Sequence, residues 1–163
     1  MLRKLFPHPW LTLTLTGVWL ALMNELSPGH AVVGLILGIL IPVGTAAYWP
    51  DRPRLRAPLR IAEYILIVMW DIVKSNFIVA RIVLFMPVAN LRPAWITIPL
   101  DLRSPEAITV LAGTITMTPG TVSSDLSACG RALLVHCLHA PDSEGVVADI
   151  KARYESRLKE IFE

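Results

Sequence analysis

Two long apolar runs open the chain and predict a membrane hairpin. Residues 31–49 hold 19 positions without a formal charge, close to the roughly 20 that a helix needs to cross about 30 Å of hydrocarbon. Residues 10–23 form a shorter run that is expected to span with help from flanking residues. A polar turn at residues 24–30 separates them, and no signal-peptide cleavage pattern follows the first run. We therefore expect a transmembrane helical hairpin over residues 1–49.

The positive charges beside these runs predict how the hairpin is oriented. Arg3 and Lys4 precede the first run, and Glu25 is the one formal charge in the connecting turn. Four arginines follow the second run: Arg52, Arg54, Arg56 and Arg60. Because positive residues favour the cytoplasmic side, both ends of the hairpin are expected there. Prolines at positions 50, 53 and 58 interrupt the helix, so residues 50–59 are predicted to form a cytoplasmic linker.

Residues 60–86 have the pattern of an amphipathic helix with a polar stripe. At 100° per residue, five charged side chains fall within about 80° of the helix surface, and these are Arg60, Glu63, Asp71, Lys74 and Arg81. Such a helix is expected at the membrane interface or against a partner protein. A third crossing is the alternative, and it would place Asp71 and Lys74 near the membrane centre at about 2.5–3.5 kcal/mol each. These two residues are therefore candidates for an ion path or a polar interface.

After residue 87 the pattern becomes that of a small α+β domain. Alternation, turn residues and helix caps predict strands and helices in the order β-α-β-β-α. The predicted elements are a strand at 95–100, a helix from Ser104 to about 117, strands at 122–126 and 131–138, and a final helix from Asp142 or Ser143. The predicted fold is a membrane α-helical hairpin, a long amphipathic helix and a small cytoplasmic α+β domain at residues 87–163.

Composition agrees with a membrane protein and argues against nucleic-acid binding. The chain is 54% hydrophobic and only 17% charged, which is more apolar than most soluble domains. A net charge of +2 without any nucleic-acid motif gives no basis for binding nucleic acid. Within the second apolar run, Gly34 and Gly38 lie one turn apart, a spacing that lets another helix approach closely.

Metal and catalytic chemistry find little support in the sequence. His136, Cys137 and His139 with Cys129 form a metal-like group, but their spacing is no recognised zinc pattern. A freestanding membrane-tethered binding module that senses metal through them remains the alternative function. No nucleophile elbow, phosphate-binding glycine loop or zinc-protease helix occurs. We expect neither an enzyme nor a cofactor.

Several segments match the pattern of a known family. The most specific is I-T-M-T-P-G-T at residues 115–121 followed by V-S-S-D-L at 122–126, with L-L-V-H at 133–136, Y-E at 154–155 and L-K-E-I at 158–161. The sequence resembles the E subunits of the multisubunit Mrp-type cation/proton antiporters, also called the Mnh or Pha type. Gly113 replaces an asparagine that family members commonly show. The family motif places a turn at Thr118, Pro119, Gly120 and Thr121.

The resemblance implies an accessory subunit of a bacterial plasma-membrane complex. That complex exchanges sodium or other monovalent cations for protons in pH and salt homeostasis. Its large subunits, which resemble components of respiratory complex I, carry the ion paths. The expected partners are therefore those other antiporter subunits and the lipid bilayer. A single hairpin cannot enclose a polar path through lipid, so a role in assembly and stability is expected for this chain.

Overall fold

A computed structural model describes residues 9–45 and 57–163. The chain divides into two compact units, Met1–Arg52 and Pro53–Glu163, and each is described by itself. Several residues from which the orientation was predicted lie outside the described residues, namely Arg3, Lys4, Arg52, Arg54 and Arg56 together with the prolines at 50 and 53.

The first unit is a helical hairpin. Helix α1 spans Pro9–Met23 and helix α2 spans Pro28–Thr45. In the turn between them, the Ser27 hydroxyl accepts the His30 backbone N–H at 3.2 Å, which satisfies one of the free donors at the start of α2. Among the described residues, α2 is the one helix long and apolar enough to cross a membrane, whereas the apolar part of α1, Leu11–Met23, is shorter.

The second unit begins with the long helix α3, Pro58–Phe85. Pro58 suits the first helical position because its missing N–H would have no partner there. The helix ends before Pro87, since a proline disfavours helical geometry at the preceding residue. A single 3₁₀ turn, Val88–Asn90, then leads towards the sheet.

Three antiparallel strands form the sheet of the second unit. They are β1 (Ala94–Pro99), β2 (Thr121–Leu126) and β3 (Ala132–Cys137), in the spatial order β1-β3-β2. The register pairs Ile96 with Val135 and Ile98 with Leu133. All four of these side chains are buried, because alternate residues of a strand point to the same face. That face is the inner side of the sheet.

Helices follow the strands in the predicted order, so the predicted α+β fold is confirmed. Helix α4 is Pro105–Met117, α5 is Ser143–Ile150 and α6 is Ser156–Phe162. The caps are also as expected, since the Ser104 and Asp142 side chains accept backbone N–H groups. One feature was not predicted: a single π-helical turn, Lys151–Glu155, lies between α5 and α6.

One hydrophobic core joins α3 to the α+β region. Tyr64 and Val68 of α3 belong to the same buried cluster as Ile98, Leu111 and Val135. Fully burying an aliphatic side chain of this size contributes about 1.5–3 kcal/mol. The long helix is therefore held by packing within the C-terminal unit.

Candidate functional site

The polar stripe of α3 faces the C-terminal helices of its own unit. Three ion pairs connect them, with these nitrogen-to-oxygen distances: Arg60 to Glu160 at 2.7 Å, Arg157 to Glu63 at 3.5 Å and Arg153 to Asp71 at 2.6 Å. From residue 60 to residue 71 of α3, the paired residues run backwards from 160 to 153, as expected for antiparallel segments. Three charges of the stripe thus neutralise charges about 80–100 residues further along the chain, whereas Lys74 and Arg81 are exposed.

Asp71 is the most deeply buried member of the stripe, with 6% of its surface exposed. Arg153 donates to both carboxylate oxygens, from Nε at 2.6 Å and from Nη2 at 2.7 Å. Tyr154 adds a third hydrogen bond from its hydroxyl at 2.9 Å. Bidentate pairing with arginine is among the strongest arrangements for a carboxylate. The charge of Asp71 is thus fully compensated within this chain.

The electrostatics of the cluster follow from these contacts. Burial opposes ionisation of Asp71, but the hydrogen bonds from Arg153 and Tyr154 and the arginine charge hold the pKa of its carboxyl below the usual value. Burial and the hydrogen bond to Asp71 raise the pKa of Tyr154 to about 12. At neutral pH the cluster therefore holds an ionised Asp71 and a neutral Tyr154.

The π-helical turn supplies both Arg153 and Tyr154. Within the same turn, Lys151 donates to Pro99 O at 2.7 Å, and Glu155 accepts the Asp101 backbone N–H at 2.7 Å. A π turn carries one residue more than an α turn. The wider turn lets one short segment hold α3 on one side and the loop after β1 on the other. No local pattern in the sequence indicates such a turn.

Thr118–Thr121, the turn of the family motif, ends α4 through its own hydroxyl groups. Thr118 donates to Thr114 O at 2.9 Å, and Thr121 donates to Ile115 O at 2.7 Å. Gly120 has a positive φ of 93°, and a Cβ there would lie 3.0 Å from a methyl carbon of Val79 on α3. Glycine suits that backbone geometry. Pro119 lies between these residues and is half-buried.

A cavity of about 580 Å³ brings the motif turn and the α3 candidates together. Its polar lining comes from Asp71, Lys74 and Ser75 of α3, Thr118 and Thr121 of the turn, and His139, Asp149, Arg153 and Tyr154. The structure therefore places Asp71 and Lys74 beside Thr118 and Thr121. Asp71 bonds to Arg153 and Tyr154 rather than to Lys74, whose side chain is exposed.

The small-residue face of α2 lies against α1. Gly34 and Gly38 are buried, and a Cβ at Gly38 would approach Thr12 O to 2.8 Å. The Thr16 hydroxyl lies within hydrogen-bond distance of Gly34 O, at 3.2 Å. A glycine at each turn lets the two backbones approach this closely.

The metal-like residues of the sequence are dispersed in the structure. Cys137 is buried on the inner face of the sheet, whereas Cys129 is exposed in the turn before β3. His136 packs against Trp95 on the outer face, with ring centroids 4.8 Å apart, and His139 Nδ1 accepts the Arg92 backbone N–H. Across residues 9–45 and 57–163, no three potential ligands come together at a metal site.

Comparison with known proteins establishes the family. A family model described as a Na+/H+ ion antiporter subunit matches residues 12–161. The chain belongs to this family. Its relatives include the E subunit of a probable K+/H+ antiporter of Rhizobium meliloti strain 1021, 35% identical over 162 residues, or 99% of this chain and 100% of the relative. The E subunit of the Na+/H+ antiporter of Alkalihalophilus pseudofirmus is 25% identical, over 93% of this chain and 95% of the relative.

A solved structure shares the fold over almost the whole chain. It is a chain of the membrane-bound sulfane sulfur reductase, an archaeal respiratory membrane complex, with a TM-score of 0.76 and 26% identity. The match covers 99% of this chain and 100% of that one. The family is one of transporter subunits, which confirms both the resemblance and the prediction that the chain is no enzyme.

Proposed function

We propose that this chain is an accessory subunit that supports assembly and stability of a multisubunit antiporter. The antiporter exchanges a monovalent cation, sodium or potassium, for protons in the bacterial plasma membrane and so serves pH and salt homeostasis. The proposal includes both cations because one relative is named as a K+/H+ antiporter subunit and another as a Na+/H+ antiporter subunit. The partners are the other antiporter subunits, including the large complex-I-like ones, and the bilayer.

One observation supports the accessory role: both carboxylate oxygens of Asp71 accept hydrogen bonds from side chains of its own chain. A carboxylate on an ion path has to release and regain a proton or cation during each cycle. Asp71 instead accepts two hydrogen bonds from Arg153 and one from Tyr154, and these bonds lower its pKa. Such a group stabilises a structure and is poorly suited to carry protons near neutral pH.

Membrane attachment falls to the N-terminal hairpin in this proposal. Helix α2 is the described candidate span, and α1 packs on it as the second span of a multi-pass anchor. The positive residues after the second apolar run support a cytoplasmic position for the C-terminal unit.

The outward face of α3 is the surface that other components of the complex would cover. Its large apolar side chains are exposed in the isolated chain, among them Leu66, Met69, Trp70, Val73 and Phe77. Contiguous apolar surface of this kind marks sites of protein or membrane contact. Three of the five charges in the polar stripe, Arg60, Glu63 and Asp71, are paired inside the unit, so the apolar side is left for the assembly.

The first test is purification of the tagged chain from membranes in mild detergent, with identification of every co-purifying polypeptide. Recovery of large polytopic antiporter subunits is expected. Cells that lack the chain should lose the assembled complex. A chain recovered alone, or only with copies of itself, would contradict the proposal.

A second experiment separates assembly from conduction. The double variant Asp71→Asn, Arg153→Gln removes both charges but keeps groups that can hydrogen-bond. We expect the assembled complex to retain its cation/proton exchange, measured in everted vesicles and normalised to the amount of complex. Lys74→Ala serves as a second variant, because Lys74 is exposed and its loss should leave the fold intact. Normal assembly without exchange in either variant would place the residue on an ion path.

A further inference from the structure

The cavity beside the motif turn contains two charges of opposite sign that are not paired. Lys74 on α3 and Asp149 on α5 both line it. Within the described part of the chain, neither side chain takes part in a hydrogen bond or an ion pair, whereas the neighbouring Asp71 and Arg153 neutralise each other. The cavity thus offers one cation and one anion to a ligand.

His139 adds a hydrogen-bond donor to this lining. Its Nδ1 accepts the Arg92 backbone N–H, so Nε2 carries a proton that it can donate. Lys74 and His139 can therefore donate to an anionic oxygen, and the Asp149 carboxylate can accept from a cation. A purely anionic ligand would meet the repulsive charge of Asp149. The lining is complementary to a zwitterion.

The surface next to the cavity is mostly apolar. Ile78 lines the cavity and is exposed. Further along α3, three more large apolar side chains are exposed, Val83, Leu84 and Phe85, together with the charged Arg81. A polar, zwitterionic recess that opens beside exposed apolar helix surface matches a molecule with a charged head and hydrocarbon tails.

We propose that this cavity binds the headgroup of a zwitterionic phospholipid that carries a primary amine, such as phosphatidylethanolamine. Its phosphate contacts Lys74 and His139, its ammonium group contacts Asp149, and its acyl chains lie along the C-terminal half of α3. The same headgroup chemistry exists in free glycerophosphoethanolamine, but only the lipid also covers the apolar surface. The proposal does not rest on transport activity.

Binding is tested by native mass spectrometry of the purified full chain in detergent with added lipid. Phosphatidylethanolamine is compared with phosphatidylglycerol, which has the phosphate but no ammonium group. A preference of about tenfold for phosphatidylethanolamine is expected, because its ammonium group adds a charge-assisted hydrogen bond to Asp149. A tenfold ratio corresponds to about 1.4 kcal/mol of binding free energy. Equal occupancy by the two lipids would overturn the proposal.

Matched variants assign the binding to the cavity. Lys74→Ala should lower phosphatidylethanolamine occupancy about tenfold, whereas Lys159→Ala, an exposed lysine outside the cavity, should leave it unchanged. Asp149→Asn should remove the preference over phosphatidylglycerol, and Asp125→Asn, on the edge strand β2, should preserve it. Equal effects of a variant and its control would show that the lipid binds elsewhere.

Glycerophosphoethanolamine distinguishes the lipid from its free headgroup. Added at the concentration of the lipid, it should not displace phosphatidylethanolamine, because it gains nothing from the apolar surface of α3. Displacement at equal concentration would show a site for the soluble headgroup and would contradict lipid binding.

Discussion

Asp71 lies on a helix whose outward positions are largely apolar, yet its charge costs the fold little. Arg153 and Tyr154 replace the hydrogen bonds that water would supply to its carboxylate. A buried charge is stable when such partners are complete and strongly destabilising when one is removed. In the structure Asp71, the candidate for an ion path or a polar interface, is the central contact between α3 and the C-terminal helices.

Replacement of this carboxylate should destabilise the C-terminal unit. We expect Asp71→Asn to lower its free energy of unfolding by about 2 kcal/mol. The loss stays moderate because Arg153 is 46% exposed and water can solvate it. Thermal unfolding of the full chain in mild detergent measures the effect, and Asp125→Asn on exposed β2 is the matched control. Equal stability of the two variants would contradict the central role of Asp71.

The cluster also predicts how stability varies with pH. The pKa of Asp71 lies below its usual value of 3.8, so its contribution is complete above that value and disappears as acid protonates the folded carboxyl. The pKa of Tyr154 is raised from 10.0 to about 12, so its contribution is complete below pH 10 and is lost as pH rises towards 12.

The stability difference between the native chain and Asp71→Asn should therefore be constant from about pH 5 to 9. It should shrink below about pH 4, where the native carboxyl becomes neutral. Unfolding midpoints measured over this range provide the check. A difference that changes between pH 6 and 8 would mean that another group controls the cluster.

At the scale of elements, local patterns predicted most of the fold. The sequence predicts the caps Ser104 and Asp142 and the alternation in β1 and β3, because each of these features depends on residues only a few positions apart. The partner of the polar stripe is not local, since Asp71 and Arg153 are separated by 82 positions. Complementary charge order offered a signal, because Arg153 and Arg157 occur four positions apart in the segment that the sequence predicts as the final helix. The π turn had no such signal.

The hairpin permits a test of close helix packing. Gly38→Ala should loosen the contact between α1 and α2, because its Cβ would lie 2.8 Å from the backbone oxygen of Thr12. Overpacking of this kind costs about 1–3 kcal/mol. Amide hydrogen exchange over α1 and α2 in the full chain should become faster.

Gly44→Ala is the control for the hairpin, since a Cβ there meets no atom within 4 Å. Alanine is the better helix former by about 1 kcal/mol, so exchange in this variant should be unchanged or slower. If Gly38→Ala behaved in the same way, the close packing at Gly38 would not stabilise the hairpin.

At the scale of the whole molecule, the distribution of polarity on α3 determines what the chain presents to its surroundings. Three of the five charged side chains of the polar stripe turn inward to pair with the chain's own C-terminal helices, and the outward side is mostly apolar. Trp70 is 66% exposed on that side. An exposed surface of this character is expected to be covered when the complex forms in the membrane. Exposed positions elsewhere on the unit are not expected to be covered.

A matched pair of tryptophans tests whether the outward face of α3 is covered in the complex while the outer face of the sheet is not. Trp95 lies on the outer face of the sheet and is 62% exposed, so Trp70→Glu and Trp95→Glu replace equally accessible side chains with the same charge. Both variants should keep the folded unit, but only Trp70→Glu should reduce recovery of the chain with the other antiporter subunits, because a carboxylate would have to be desolvated at the covered surface. Reduced recovery of both variants would point to a general effect of charge. Full recovery of Trp70→Glu would mean that the outward face of α3 stays in water within the assembled complex.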